Sequence, residues 1–140
     1  MKTVFLFVAI SGLILLNLSC KVDGPKTSSY NSSSHKEGKS CIGCHYQAEV
    51  FGTVYNSDQR ETVSNVIIKF STASDSSGVI MSSLEADKNG NFYTTEKIKY
   101  KGLYTLVQRS DGTNTLYMQT PVESGDCNKC HEEGNRIWIN

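Results

Sequence analysis

Between residues 47 and 120 the apolar positions recur with a period of two, the period of a strand with one buried face. Residues 50–55 (Val-Phe-Gly-Thr-Val-Tyr) alternate and run into the turn residues Asn56, Ser57 and Asp58. Val66, Ile68 and Phe70 alternate with Ile67, Lys69 and Ser71, as a half-buried strand does. Residues 74–78 read as a loop and residues 79–86 as the next strand. The run Asp87-Lys88-Asn89-Gly90-Asn91 is a strong turn, because Asn-Gly accepts positive φ at low cost. Residues 92–95 resume a strand, and residues 98–100 read as a short edge strand. Residues 103–108 and 115–119 flank a hairpin turn at Ser110-Asp111-Gly112-Thr113. No segment here combines helical period with helical length. About seven short strands at this spacing predict an all-β chain folded as a small antiparallel sandwich.

The N-terminus has a different pattern. Lys2 precedes an almost wholly apolar stretch from Thr3 to Leu16, closed by Asn17-Leu18-Ser19-Cys20. The stretch is short of the roughly 20 apolar residues that a membrane span needs, and its flanks are those of an export signal. Residues 1–19 resemble a bacterial lipoprotein signal, which implies that Cys20 becomes the lipidated first residue. The usual Leu three places before the Cys is replaced by Asn17, with Leu16 one earlier; ordinary signal cleavage nearby is the alternative. Residues 20–40 read as a flexible Ser-rich tether with little to bury. As a coil of about 20 residues it would span roughly 25 Å, enough to lift a domain off a lipid surface.

Chemistry enters with the cysteines. There are five, and four of them lie in two copies of Cys-x-x-Cys-His: Cys41-Ile42-Gly43-Cys44-His45 and Cys127-Asn128-Lys129-Cys130-His131. The chain holds three histidines. Scattered at random, they would follow both pairs roughly once in 2,000 trials, so each pentapeptide is read as a unit. It is the attachment signature of c-type heme. The chain therefore resembles a c-type cytochrome, which implies two heme c groups held covalently by Cys41 and Cys44, and by Cys127 and Cys130. His45 and His131 would be the proximal iron ligands. Two other uses of the thiols remain open: disulfides outside the cytoplasm, and a structural zinc site with thiolate ligands. Neither gives a reason for His after each pair. An export signal agrees with heme, since bacterial c-type heme is attached outside the cytoplasmic membrane.

A second resemblance covers about half the chain. Gly52-Thr53-Val54-Tyr55, Val63-Ser64-Asn65-Val66, Ala86-Asp87-Lys88-Asn89-Gly90-Asn91-Phe92 and Gly102-Leu103-Tyr104-Thr105-Leu106 follow one another in order. They resemble the carboxypeptidase regulatory-like family, an Ig-like, prealbumin-like sandwich of seven strands. The resemblance implies a non-catalytic scaffold. It also implies that Tyr104, Leu106, Val66, Ile68, Phe70 and Phe92 point inward.

The expected division is thus a signal over 1–19, a tether over 20–40, a first heme segment over 41–46 and a β-sandwich over 47–120. A second heme segment with a tail follows over 121–140. An even number of strands between the pentapeptides would return both to one pole; an odd number would separate them. Candidate distal ligands are His35, six residues before Cys41, and the thioethers of Met118 and Met81. His35 is equally well a solvated residue of the tether, and Met118 shares a strand face with Leu116, which suits core packing. In the tail, Ile137, Trp138 and Ile139 either cover the second heme or add a last strand. With 14 basic and 14 acidic residues and no basic run, nothing points to nucleic acid.

The function expected from these features is electron transfer by a lipid-anchored diheme cytochrome of the bacterial cell envelope, a carrier rather than a catalyst. Its partners would be other redox proteins or an extracellular acceptor, the membrane through Cys20, and other copies of itself. The alternatives are a non-redox binding or stalk lipoprotein with zinc or disulfides, and a heme enzyme or gas sensor with an open iron site.

Overall fold

The computed structural model describes residues 38–40, 42, 45 and 47–140. The signal, Cys20, His35 and most of the tether lie outside the described residues, as do Cys41 and Cys44.

The alternation is realised as two facing sheets. β1 (Val50–Tyr55), β4 (Asn91–Thr94) and β7 (Ile137–Trp138) form one, in the order β4-β1-β7. β2 (Val66–Ser71), β3 (Ile80–Glu85), β5 (Tyr104–Arg109) and β6 (Thr115–Tyr117) form the other, in the order β3-β2-β5-β6. All pairs are antiparallel except β1 with β7, which is parallel. The only helix among the described residues is the single turn α1 (Cys127–Cys130). The core lies between the sheets. Val50 and Val54 of β1 and Phe92 of β4 meet Val66, Ile68 and Phe70 of β2 and Val107 of β5. Val122 and Ile139, from the chain beyond residue 120, are buried in the same core.

The all-β sandwich expected from the sequence is thus present, with two differences in strand assignment. Residues 98–100 form no strand. Tyr100 instead turns into the core, its ring centroid 6.3 Å from that of Phe70, and the Lys99 carbonyl accepts the Ser82 hydroxyl at 2.6 Å. The seventh strand is β7, from the tail. The period-two pattern of Ile98-Lys99-Tyr100 is too short to separate a strand from a loop anchored by one aromatic ring.

The phase of β5 also differs from the family-based expectation. Cross-strand partners share a face of the sheet, and β2 pairs Phe70 with Thr105 and Ile68 with Val107. Thr105 and Val107 therefore face inward. Tyr104 and Leu106 fall on the outer face, opposite Ser71 and Lys69. Val66, Ile68, Phe70 and Phe92 are buried as expected. The consequence is a buried hydroxyl, Thr105 Oγ1, with no hydrogen-bond partner among the described residues.

The turns follow their sequences. Asp87 Oδ1 accepts the Asn89 and Asn91 amides at 2.8 and 3.0 Å, and the positive φ falls on Gly90. Asp75 and Asp111 make the same kind of closure with Ser77 and Thr113. The Ser77 and Thr113 hydroxyls also donate to these carboxyls and, with the amides adding to them, hold both below their ordinary pKa.

Two substitutions test this core with opposite signs. Phe70→Ala empties the centre of β2 and should cost about 3–5 kcal/mol in denaturant unfolding. Thr105→Val removes the unpartnered hydroxyl at nearly constant shape and should leave stability unchanged or raise it by about 1 kcal/mol. A large loss in the valine variant would show that the hydroxyl has a partner after all.

Candidate functional site

The site is built on the edge of β1 that β7 covers only in part. β4 covers one edge of this strand and β7 the other, but β7 pairs only with Val54 and Tyr55. The earlier part of that edge needs other partners, because buried backbone amides are seldom left unpaired. The Phe51 amide donates to the Gly125 carbonyl at 2.9 Å. The Thr53 amide donates to Asn128 Oδ1 at 3.0 Å. Further along, the Ile139 amide donates to the Tyr55 carbonyl at 2.9 Å. The side chain of Asn128 thus fills the gap in the ladder between Gly125 and β7.

Asn128 is the second residue of the second pentapeptide. It is 4% exposed, which is rare for a polar residue and makes its pairing decisive. Its Nδ2 donates to Thr53 Oγ1 at 3.2 Å and to the Lys39 carbonyl at 2.9 Å. Asp126, also buried, caps α1: its Oδ1 accepts the Lys129 amide at 3.2 Å. Its Oδ2 accepts the Ser40 hydroxyl at 2.7 Å. The Gly38 amide completes the set by donating to Thr53 Oγ1 at 2.9 Å.

α1 sets the chemistry of the second pentapeptide. Cys127 and Cys130 stand one turn apart, three residues along the helix, and both are free thiols. Cys127 packs against the edge of the core while Cys130 is exposed. Burial, helped by the Asp126 carboxylate and by Cys130, pushes the Cys127 thiol up to about 12. His131 follows as the C-cap, its amide donating to the Cys127 carbonyl at 2.9 Å. Its ring Nδ1 lies 2.9 Å from the Asn135 carbonyl. A carbonyl can only accept, so Nδ1 carries the proton and the neutral ring keeps its lone pair on Nε2. This is how a metal-ligating histidine is oriented by a partner outside the coordination sphere. Asn135 is itself fixed by its Nδ2, which donates to the Cys130 carbonyl at 3.2 Å.

Of the first pentapeptide, Ile42 and His45 are described. Ile42 is exposed, and the His45 carbonyl accepts the Ala48 amide at 3.0 Å in the turn that leads into β1. The segments on either side of this pentapeptide are both bonded to the 125–128 segment or to β1. Six strands separate the two pentapeptides, the even number that returns the chain to one pole.

The other candidates lie on the opposite sheet. Met118 packs against the core beside β6, with its amide donating to the Thr105 carbonyl at 2.8 Å. Met81 is exposed on the edge strand β3. Ile137 and Trp138 form β7, the strand alternative for the tail, and Ile139 is fully buried. Among the described residues no three His, Cys, Asp or Glu side chains converge on a metal-sized site. No helix there is long and apolar enough to cross a membrane.

Sequence reasoning missed Asn128, Asp126 and Asn135. Asp126 had a readable signal, an Asp directly before a helical turn. Asn128 and Asn135 had none, because each acts on a strand or histidine that only the fold brings near. Searches against protein-family models, curated proteins and solved structures find no match to the chain.

The thiol environments give a test on protein whose cysteines are unmodified. At pH 8 a haloacetamide should alkylate Cys130 readily and Cys127 far more slowly, since the thiolate is the reactive form. Because the Cys127 pKa is raised on folding, the thiol stays protonated in the folded state while the unfolded chain loses its proton. Stability should therefore fall as the pH rises from about 9 toward 12. Peptide mapping that finds Cys127 alkylated as fast as Cys130 would contradict the buried placement.

Proposed function

We propose that this protein is a diheme c-type cytochrome, anchored by lipid at Cys20 to the bacterial cell envelope, and that it carries single electrons. One observation supports this above the others. His131, directly after Cys130, is held through Nδ1 by the Asn135 carbonyl, which leaves Nε2 as the ligating nitrogen. A disulfide or an all-thiolate zinc site makes no use of that arrangement. Cys127 and Cys130 would hold one heme, Cys41 and Cys44 the other, with His45 and His131 as proximal ligands.

Bound heme c supplies a one-electron ferrous/ferric couple. The residues of this chain bind and orient it. α1 presents two thiols one turn apart. The Asp126 side chain caps α1, and the Asn128 amide fixes it to β1. The sandwich then acts as a rigid scaffold, in keeping with the resemblance to the carboxypeptidase regulatory-like family.

The distal position decides between carrier and sensor. His35 lies three residues before Gly38, whose amide is bonded to Thr53. His35 itself lies outside the described residues and is a candidate by its place in the sequence alone. Redox proteins of the envelope or an extracellular acceptor would be its partners.

Intact-mass analysis of protein from a host with c-type maturation should show two hemes retained after acid denaturation. Zinc without iron would sink the proposal. Cys20→Ala should move the protein from the membrane to the soluble fraction; a wild-type protein already soluble after export would remove the anchor. His35→Ala should turn one heme toward high spin and let it bind carbon monoxide while the other is unaffected. An unchanged spectrum would leave that position to Met118, Met81 or a neighbouring molecule.

A further inference from the structure

We infer that the outer edge of β3, with the loop beside it, is a docking face for an anionic lipid surface. It lies on the sheet opposite the one that carries α1 and goes beyond the electron-carrier reading.

β3 is an edge strand of the four-stranded sheet. Such edges are ordinarily blunted with charge or kept very short. β3 does the reverse. Val79, Ile80 and Met81 are 64, 44 and 40% exposed. Successive residues of a regular strand point to opposite faces, so one of them would turn toward the core. A bulge interrupts that pattern. Ser82 stands opposite Phe70 and Ile80 opposite Ser71, which leaves Met81 without a partner on β2. Bulges bend the strand that carries them, and this one leaves three successive apolar side chains in solvent.

The loop beside β3 supplies positive charge. Ile98 packs against the core and Tyr100 is buried in it. Their alternation leaves Lys97, Lys99 and Lys101 exposed. Among the described residues none of the three is in an ion pair. The Ser82 hydroxyl donates to the Lys99 carbonyl at 2.6 Å, which joins the lysine row to the strand. Val79 lies three residues from Ser82, and Lys97 and Lys101 lie two from Lys99. The backbone of the patch therefore falls within about 11 Å of that bond. Nearby carboxylates do not cancel the lysines. Glu96 is a single charge against three. Asp75 is drawn toward β6, at the other edge of the sheet, where Gln119 Nε2 donates to the Ser74 carbonyl at 3.5 Å. Glu85 ends β3, about 17 Å along the strand from Ile80.

Protruding apolar residues beside a row of lysines fit the surface of an anionic bilayer. The apolar groups enter the headgroup boundary and the ammonium groups stay among the phosphates. An acidic protein would use the lysines and leave residues 79–81 in water. A second copy would bring one lysine row against another across a two-fold axis.

Vesicle co-sedimentation tests this. The chain from residue 21 onward contains every described residue and lacks both Cys20 and the apolar stretch 3–16, so neither carries it to a vesicle. It should bind vesicles of phosphatidylglycerol and phosphatidylcholine in equal parts, bind phosphatidylcholine alone far more weakly, and be released by salt. Lys97→Gln/Lys99→Gln/Lys101→Gln should weaken binding about a hundredfold, since a lysine near an anionic surface contributes about fivefold. Val79→Ser/Ile80→Ser/Met81→Ser should weaken it about tenfold by removing the inserted apolar area. Hydrogen exchange on the unsubstituted chain gives a readout independent of these variants. Anionic vesicles should slow exchange at residues 79–82 and 97–101 and leave the turn at residues 110–113 unchanged. No binding to the anionic vesicles, equal binding to both kinds, or binding without slowed exchange at residues 79–82 would overturn the face. Slowed exchange there without vesicles, rising with protein concentration, would assign it to a second copy and overturn the lipid. Intact mass of the same preparation reports covalent heme separately, so this face and the diheme reading fail independently.

Discussion

The hydrogen bonds of the Asn128 side chain hold this architecture together. β1 is the central strand of its sheet, yet its second edge is covered by three unrelated pieces of chain: Gly125, the Asn128 amide and β7. Among the described residues Asn128 alone joins the backbone of β1, the hydroxyl of Thr53 and the segment before the first pentapeptide. An amide can do this because it offers an acceptor and two donors in one plane. An apolar residue there would leave the Thr53 amide without that partner, at a cost of about 1–3 kcal/mol. The second pentapeptide is therefore part of the sandwich rather than an appendage to it. Its one-turn helix is too short to be stable alone and is held by the strand on which it sits.

This integration explains how much of the molecule was legible in the sequence. The strands at Val66-Ile67-Ile68-Lys69-Phe70 and at Val50 to Tyr55 were readable because alternation reports a local property, one buried face. The turn at Asn89-Gly90 was readable because it rests on local backbone chemistry. The phase of β5 was not. Tyr104 and Leu106 look like the inward pair by size and by family pattern, but β2 selects Thr105 and Val107. Register is a property of two strands, and neither strand states it alone. Tyr100 was misread for the same reason, since a buried ring on a loop shows the same residue types as an edge strand.

The candidate site divides along the same line. Cys127, Cys130 and His131 stand out in the sequence because their spacing alone marks them as a unit. Asn135, which fixes the tautomer of His131, and Asn128, which fixes the helix to the strand, carry no local mark. Both are asparagines whose partners lie outside any window that a motif covers. Six strands between the pentapeptides return the chain to its starting pole, and the Ser40–Asp126 hydrogen bond is where the two ends meet. The strand count read from the sequence did not carry this answer, because about seven strands were expected between the pentapeptides and only the absence of one at residues 98–100 makes the number even.

We propose that these two pentapeptides bind heme in an electron carrier. The most direct measurement is the absorption spectrum of protein purified from a host with c-type maturation machinery, recorded before and after reduction and referred to protein concentration. The expected result is the sharp ferrous bands of low-spin c-type heme at an intensity of two hemes per chain. A protein with no Soret band, carrying zinc or disulfides at the cysteine pairs, would contradict it.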